Sequence, residues 1–284
     1  MSTPRGLAAG AALDAAFGDP QRFHPVAGFG LLAGRAERLL WRPSRAAGAA
    51  YTVLCIAGAL VAARVAAGGS HSRRRTAGVA AIAWGVLGAR SLGAEALRID
   101  DALGRGDIGA ARELLPRLCG RDPAALSEAE IVRATVESVA ENTSDAVVAP
   151  LLWGALAGAP GLAGYRAVNT LDAMVGYRSA RYETFGWAAA RLDDLANVVP
   201  ARLTALLTMA AAPAVGGDPR TTLRVTRADG RNHPSPNSGW CEAAFAGALD
   251  VRLGGRNVYG DRVEDRPYLG GGRAPRREDI ARAV

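Results

Sequence analysis

Four stretches of this 284-residue chain carry no charged side chain, and they constrain the fold more than anything else in the sequence. Ala46 to Ala63 is 18 residues long, Thr76 to Ala89 is 14, Ala146 to Tyr165 is 20 and Leu203 to Gly217 is 15. A helix needs about 20 mostly apolar residues to cross a bilayer. The first and third stretches reach that length as they stand. The second reaches it by borrowing Ser91 to Ala94 beyond Arg90, and the fourth by borrowing LANVVPA ahead of Arg202. Much of the apolar content is alanine, so the mean hydropathy is only +0.06. Buried helices of a soluble, alanine-rich protein are therefore the competing reading.

The charges between these stretches exclude several classes of function. There is no lysine, so all 34 basic residues are arginine, which removes Walker A loops and Schiff-base chemistry. The +7 net charge suits anionic partners, including lipid headgroups. The arginines are dispersed, though, with no basic block beyond Arg73–Arg75 and no interleaved aromatics, so no nucleic-acid partner is expected. Cys55, Cys119 and Cys241 lack metal or disulfide spacing and are expected to be reduced thiols. No GxSxG elbow occurs, and no strand-like run precedes the glycines of GFGLLA at Gly28. The N-terminal apolar run is short and interrupted by Asp14, which does not fit a cleaved secretory signal.

The first two stretches read as a helical hairpin. Arg35, Arg38, Arg42, Arg45, Arg90, Arg98 and Arg105 flank it, against Arg64 and Arg73–Arg75 at its tip, which favours the flanks on the cytoplasmic side. Residues 95 to 141 are charged and helical in pattern, with a capping box at Ser127-x-x-Glu130. From about Asp218, Gly, Pro and Asn dominate and read as loops, with a helix beginning near Trp240. Strand-like alternation is scarce. The expected class is mainly α: a polytopic integral-membrane protein with a helical cytoplasmic portion and long Gly/Pro-rich loops.

Three polar constellations stand out. Glu137, Glu141 and Asp145 are four apart, which suits either a solvated helix face or carboxylates placed at the mouth of an apolar segment. Beyond that segment, Arg166, Asn169 and Asp172 fall together in helical register, as do Arg191, Asp194 and Asn197, with Asp193 four residues before Asn197. The adjacent Asp193 and Asp194 are the kind of oxygen pair that can hold Mg²⁺ beside substrate phosphates, while Arg–Asp packing pairs are the alternative. The third constellation, Asp229, Arg231, Asn232, His233, Asn237 and Ser238, lies in a loop that opens a helix, a geometry suited to anions, with His233 a candidate acid–base group. Asp19 and His24 sit in a similar Pro-flanked loop.

GDPQRFHPVAGFG, VESVAENTSDAVVAPLLWG, YRAVNTLDAMVGYRSARYETFGWAAARLDDLANVVPARL and DGRNHPSPNSGWCEAAFAGAL together resemble the adenosylcobinamide-phosphate synthase family of cobalamin biosynthesis (CobD/CbiB). The resemblance continues into DRPYLGGGRAP and covers nearly the whole chain, least clearly residues 42 to 94. Ala146 stands where the family usually has Gly, and Cys241 where Pro is common. The family pattern also continues into another hydrophobic segment beyond EDIARAV.

The resemblance implies a multi-pass enzyme of the inner membrane with its active site facing the cytoplasm. It would be an ATP-dependent, amide-forming ligase joining adenosylcobyric acid to (R)-1-amino-2-propanol or its O-phosphate. ATP, Mg²⁺ and membrane lipid are the implied companions, and the corrinoid is substrate. One catalytic unit would span 1–284, in parts 1–45, 46–94 (hairpin), 95–141 (amphipathic), 142–217 (membrane helices with polar clusters) and 218–284 (loop-rich). Carried onto this sequence, Glu141, Asp145, Asp194 and His233 are the implied catalytic groups. Asp19, His24, Asn142, Asn169, Asp172, Arg178, Arg191, Asn197, Arg231, Asn232, Asn237 and Ser238 would bind substrate or phosphate, and Asp193 with Asp194 would hold Mg²⁺. A non-enzymatic corrinoid-binding or transporting membrane protein is the alternative.

Overall fold

In the computed structural model, residues 2–20, 24–68, 72–177, 179–259 and 262–284 are described. The helices in chain order are α1 (Ser2–Phe17), α2 (Pro25–Leu40), α3 (Arg45–Ala66), α4 (Ser72–Val86), α5 (Ala89–Gly104), α6 (Ile108–Leu114), α7 (Glu128–Thr143), α8 (Ala149–Leu171), α9 (Trp187–Ala196), α10 (Val198–Ala211), α11 (Pro219–Asp229) and α12 (Ser238–Leu249). An antiparallel pair, β1 (Leu253–Tyr259) and β2 (Arg262–Leu269), precedes α13 (Arg277–Ala283). Two compact units interleave along the chain. Residues 1–90 and 145–197 form the first, and residues 91–144 and 198–284 the second.

Local chemistry sets most boundaries. The capping box forms as expected: Ser127 Oγ accepts the Glu130 amide at 3.4 Å, and Glu130 Oε2 accepts the Ser127 amide at 2.8 Å. Asp14, buried on α1, accepts the Ala89 amide at 3.1 Å and so caps α5. Pro25 and Pro219 occupy the first turns of their helices, where a missing N–H costs nothing. Two π-helical turns, Ser144–Val148 and Asp172–Gly176, bracket α8.

Four helical stretches among the described residues are long and apolar enough to cross a membrane: Arg45–Ala66, Ser72–Gly104, Glu128–Gly176 and Val198–Val215. On α3, Val53, Leu54, Val61 and Val65 are all exposed. A core helix of a soluble protein would bury that face, whereas a bilayer solvates it. The third stretch departs from the expected single span. Gly158 takes φ 66° and ψ −148° inside α8, two residues before Pro160. A straight helix would part Asp145 and Asn169 by about 36 Å, yet Asn169 Nδ2 lies 3.2 Å from Asp145 Oδ2. The segment is therefore a helical hairpin that reverses at Gly158.

In the first unit α1 lies against α4, where Gly10 leaves no room for a side chain beside Ala83. The returning arm of α8 lies against α3: Leu162 shares a buried cluster with Ala63, and Leu171 shares another with Tyr51, Cys55 and Phe185. An apolar cavity of about 580 Å³, lined by α2, α3, α4 and α8, has Arg166 as its charged lining residue. The second unit is built on α12, buried at almost every position, as expected of a helix that is apolar all round. Ile99, Leu115, Ile131, Leu253, Leu269 and Ile280 pack in the same core.

The C-terminal portion is more ordered than its Gly/Pro content suggests. Gly254 and Gly255 take φ of 86° and 90° at a register shift between β1 and β2, so glycines read as loop are bulge residues of a hairpin. The helix expected near Trp240 starts at Ser238. On α13, burial alone would raise the Asp279 carboxyl; bonds from Arg273 at 2.6 Å, the Arg276 amide at 2.8 Å and Arg282 at 2.7 Å outweigh it and hold the group below the usual aspartate range.

Gly158→Ala is expected to cost about 1–3 kcal/mol, because that φ/ψ combination is essentially confined to glycine; thermal unfolding in detergent measures it. Asp279 contributes stability that is full above the ordinary aspartate pKa and lost as pH falls through its lowered folded value. Hydrogen exchange of α13 should therefore accelerate in acid, and Asp279→Asn should show that acceleration already at neutral pH.

Candidate functional site

Five polar side chains from distant positions meet in the first unit. The Tyr165 hydroxyl donates to Asn197 Oδ1 at 2.9 Å and lies 3.4 Å from Asp145 Oδ1. Asn197 Nδ2 donates to Asp193 Oδ2 at 3.0 Å. Asn169 Nδ2 bridges Asp145 Oδ2 at 3.2 Å and Asp193 Oδ1 at 3.5 Å, while its Oδ1 accepts from Arg166 at 3.3 Å. The hairpin makes this possible by returning Tyr165 and Asn169 to Asp145, and α9 supplies Asp193 and Asn197 one turn apart. Asn197 and Tyr165 are buried.

Glu137, Glu141 and Asp145, four apart in sequence, each have their own partners. In the second unit Glu137 is 3% exposed rather than solvated: it pairs with Arg121 and Arg133 and accepts the Gly254 amide at 2.7 Å. Arg133 also donates to Asn257 Oδ1 at 2.9 Å. Glu141 accepts from the Ser238 hydroxyl at 2.8 Å, and Ser238 lies 3.1 Å from Ser235. Asn237 accepts from Arg202 at 2.8 Å, and Arg202 and Arg231 both face the Trp240 ring.

Other expected site residues go elsewhere. Successive residues on a helix diverge by about 100°: Asp193 turns to Asn169 and Asn197, whereas Asp194 reaches exposed Arg191 at 3.3 Å. Asn142 donates to Ser138 O at 2.9 Å on its own helix, and Asn232 stands exposed in its turn. Asp172 lies in the second π turn, where Gly176 leaves no room for a Cβ beside its carboxylate. Asp19 and His24 face each other at 3.7 Å. Arg178 lies outside the described residues.

His233 is nearly enclosed. Its Nδ1 accepts the Ser235 amide at 3.0 Å, and its Nε2 lies 3.5 Å from Glu242 Oε1. Burial lowers the His233 pKa and raises that of Glu242 well above the usual carboxylate range; Arg266 adds to the first effect, Glu137 and Glu141 to the second. Tyr165, Arg121 and Glu242 were not among the residues expected from sequence. The one signal for Glu242 is a carboxylate in the middle of an otherwise apolar helix.

No group of three or more His, Cys, Asp or Glu able to hold a metal exists among the described residues. Asp145 and Asp193, brought to one Asn169 amide, supply two carboxylates.

These features define a mainly α membrane protein with buried carboxylate–amide networks. A model of the CobD/Cbib protein family matches residues 7–284, and the chain belongs to that family of cobalamin biosynthesis. It is 53% identical to the cobalamin biosynthesis protein CobD of Mycobacterium tuberculosis H37Rv, over 98% of this chain and 89% of that protein. The protein of the same name from Geobacter metallireducens is 49% identical over 91% of this chain and 83% of its own length. That from Pelobacter propionicus is 43% identical over 94% and 85%. No solved structure matches.

Replacing Glu137 by Leu strands the Arg121 guanidinium in a buried site and is expected to cost about 3–5 kcal/mol. Adding Arg121→Leu should recover part of that loss in the same denaturation measurement.

Proposed function

We propose that this protein is an adenosylcobinamide-phosphate synthase: it forms an amide between the propionate of adenosylcobyric acid and (R)-1-amino-2-propanol or its O-phosphate, using ATP. The observation that carries this reading is the network of Asp145, Tyr165, Asn169, Asp193 and Asn197. Two separate stretches of the family pattern supply it, and the hairpin folds them together.

A carboxylate must be activated before an amine can displace oxygen from it. Phosphoryl transfer from ATP gives an acyl phosphate and ADP; the amine attacks the acyl carbon, inorganic phosphate leaves, and the ammonium's protons are released. The protein's part is to bind, orient and neutralise charge. Mg²⁺, when bound, would be held by Asp145 and Asp193 together with substrate phosphate oxygens, and would offset phosphate charge. Asn169 and Asn197 fix the rotamers of those two carboxylates. In the second unit Glu141 is an exposed carboxylate that accepts from the Ser238 hydroxyl, and a carboxylate of that kind can serve as a general base. Exposed Arg191 and Arg231 are the cations for phosphate. The active face is assigned to the cytoplasm of the inner membrane, where ATP is found and where arginine flanks the α3–α4 hairpin.

The test is an assay of the detergent-purified protein with adenosylcobyric acid, either amino-alcohol, ATP and Mg²⁺. Amide product with stoichiometric ADP is expected. Asp145→Asn and Asp193→Asn should each lower kcat/KM by about a hundredfold or more, Glu141→Gln by about tenfold or more, and Asp194→Ala by less than tenfold. Corrinoid binding without amide formation would replace this reading with that of a carrier.

A further inference from the structure

The same local device occurs twice in this chain. His24 and His233 each precede a proline, and each turns its Nδ1 back to accept the amide two residues on: Val26 at 3.2 Å and Ser235 at 3.0 Å. Each then presents Nε2 to a carboxylate: Asp19 at 3.7 Å and Glu242 at 3.5 Å. A nitrogen that accepts an N–H cannot itself carry the proton, so the neutral ring in both cases is the Nε2–H tautomer. The two copies differ in burial. His24 and Asp19 are partly exposed, whereas the His233 and Glu242 side chains are 4% and 2% exposed.

A histidine acting as a base on substrate needs one ring nitrogen open to it. Neither is open at His233: Nδ1 closes the loop turn, and Nε2 is buried 3.5 Å from Glu242 Oε1 without a hydrogen bond to it. Around this pair stand Glu137, Glu141, Arg121 and Arg266. The turn it closes leads directly into Ser235, whose hydroxyl accepts the Asn237 and Ser238 amides at 3.3 and 3.2 Å, and then to Ser238, which holds Glu141. Gly239 allows the close approach, since a Cβ there would overlap the His233 Cβ.

We infer that His233 and Glu242 form one buried positioning unit that shapes the 231–238 loop and so places Ser238 against Glu141, and that His233 exchanges no proton with substrate. Burial keeps the ring neutral to lower pH than an ordinary histidine and raises the Glu242 carboxyl well above the usual carboxylate range. The effect on turnover rests on the proposed amide-forming activity; the state of the ring does not.

The chain has three histidines, so ¹⁵N-histidine labelling of the full-length protein in detergent gives three resolvable rings. His233 and His24 should both appear as Nε2–H tautomers, with His233 protonating at lower pH than an ordinary histidine. A Nδ1–H tautomer at His233, or a midpoint at or above that of an ordinary histidine, would overturn the inference. Asn places an acceptor where Nδ1 stands, so His233→Asn should keep kcat within about tenfold of wild type, and Glu242→Gln should keep the tautomer and kcat within about threefold. Glu242→Leu should lower kcat/KM by about tenfold or more. A loss of a thousandfold or more in kcat for a folded His233→Asn protein would make the ring a general base and sink the idea. Absence of amide product from the wild-type protein would strike the proposed function alone, and the ring spectra would still decide the pair.

Discussion

Inside a bilayer every backbone N–H and C=O must find its partner within the protein, and the first unit is organised by how α8 meets that requirement while turning round. Two short helical arms satisfy their own backbones. The reversal between them is taken at Gly158, where a positive φ is tolerated, followed by Pro160, which gives up no needed amide. Because the chain comes back, side chains 20 and 24 residues beyond Asp145 become its neighbours. Polar groups beside an apolar segment are costly alone. Here each of the five gives or takes a hydrogen bond within the set.

The two units treat their carboxylates differently. Glu137 is buried against arginines and a backbone amide, which makes it a structural anchor whose loss exposes a charge to a poor solvent. Asp145 and Asp193 share amide and phenol hydrogen bonds within one network, which fix the orientation of both carboxylates.

Helical class and the capping box at Ser127 were legible in the sequence, whereas Asp145 stood in one polar constellation and Asn169 and Asn197 in another, and the fold joins them. Periodicity and charge-free length report burial and helicity locally, and a charge-free window does not record whether the chain goes through or comes back. The reversal hung on one glycine among several in ALAGAPGLAG, so the third window looked like a span. The hairpin of β1 and β2 was missed for a related reason: Gly254 and Gly255 signal a break in any pattern, and a bulge looks the same as a loop. Spacing of four placed Glu137, Glu141 and Asp145 along one helix but could not tell that Glu137 is buried against arginines while Asp145 meets side chains 20 and 24 residues further on. Adjacency offered Asp193 and Asp194 together, and helical geometry turns neighbours apart. Tyr165 and Glu242 gave little signal, because an isolated polar residue in an apolar stretch acquires meaning only from the side chains that fold against it.

The π turn at Ser144–Val148 has a further consequence. Within the first unit this turn carries Asp145 and leads into the outgoing arm of α8. The bearing of that arm relative to Asp145 is therefore set by how many residues the turn contains, more than by which ones they are. Replacing a side chain here leaves the hairpin aimed as before. Deleting one residue would return the helix to its ordinary pitch and swing the whole outgoing arm, with Trp153 and the Gly158 reversal, to another bearing. Counting thus acts as a form of structural information in this protein, and it makes a five-residue stretch far less forgiving of a change in length than of a change in spelling.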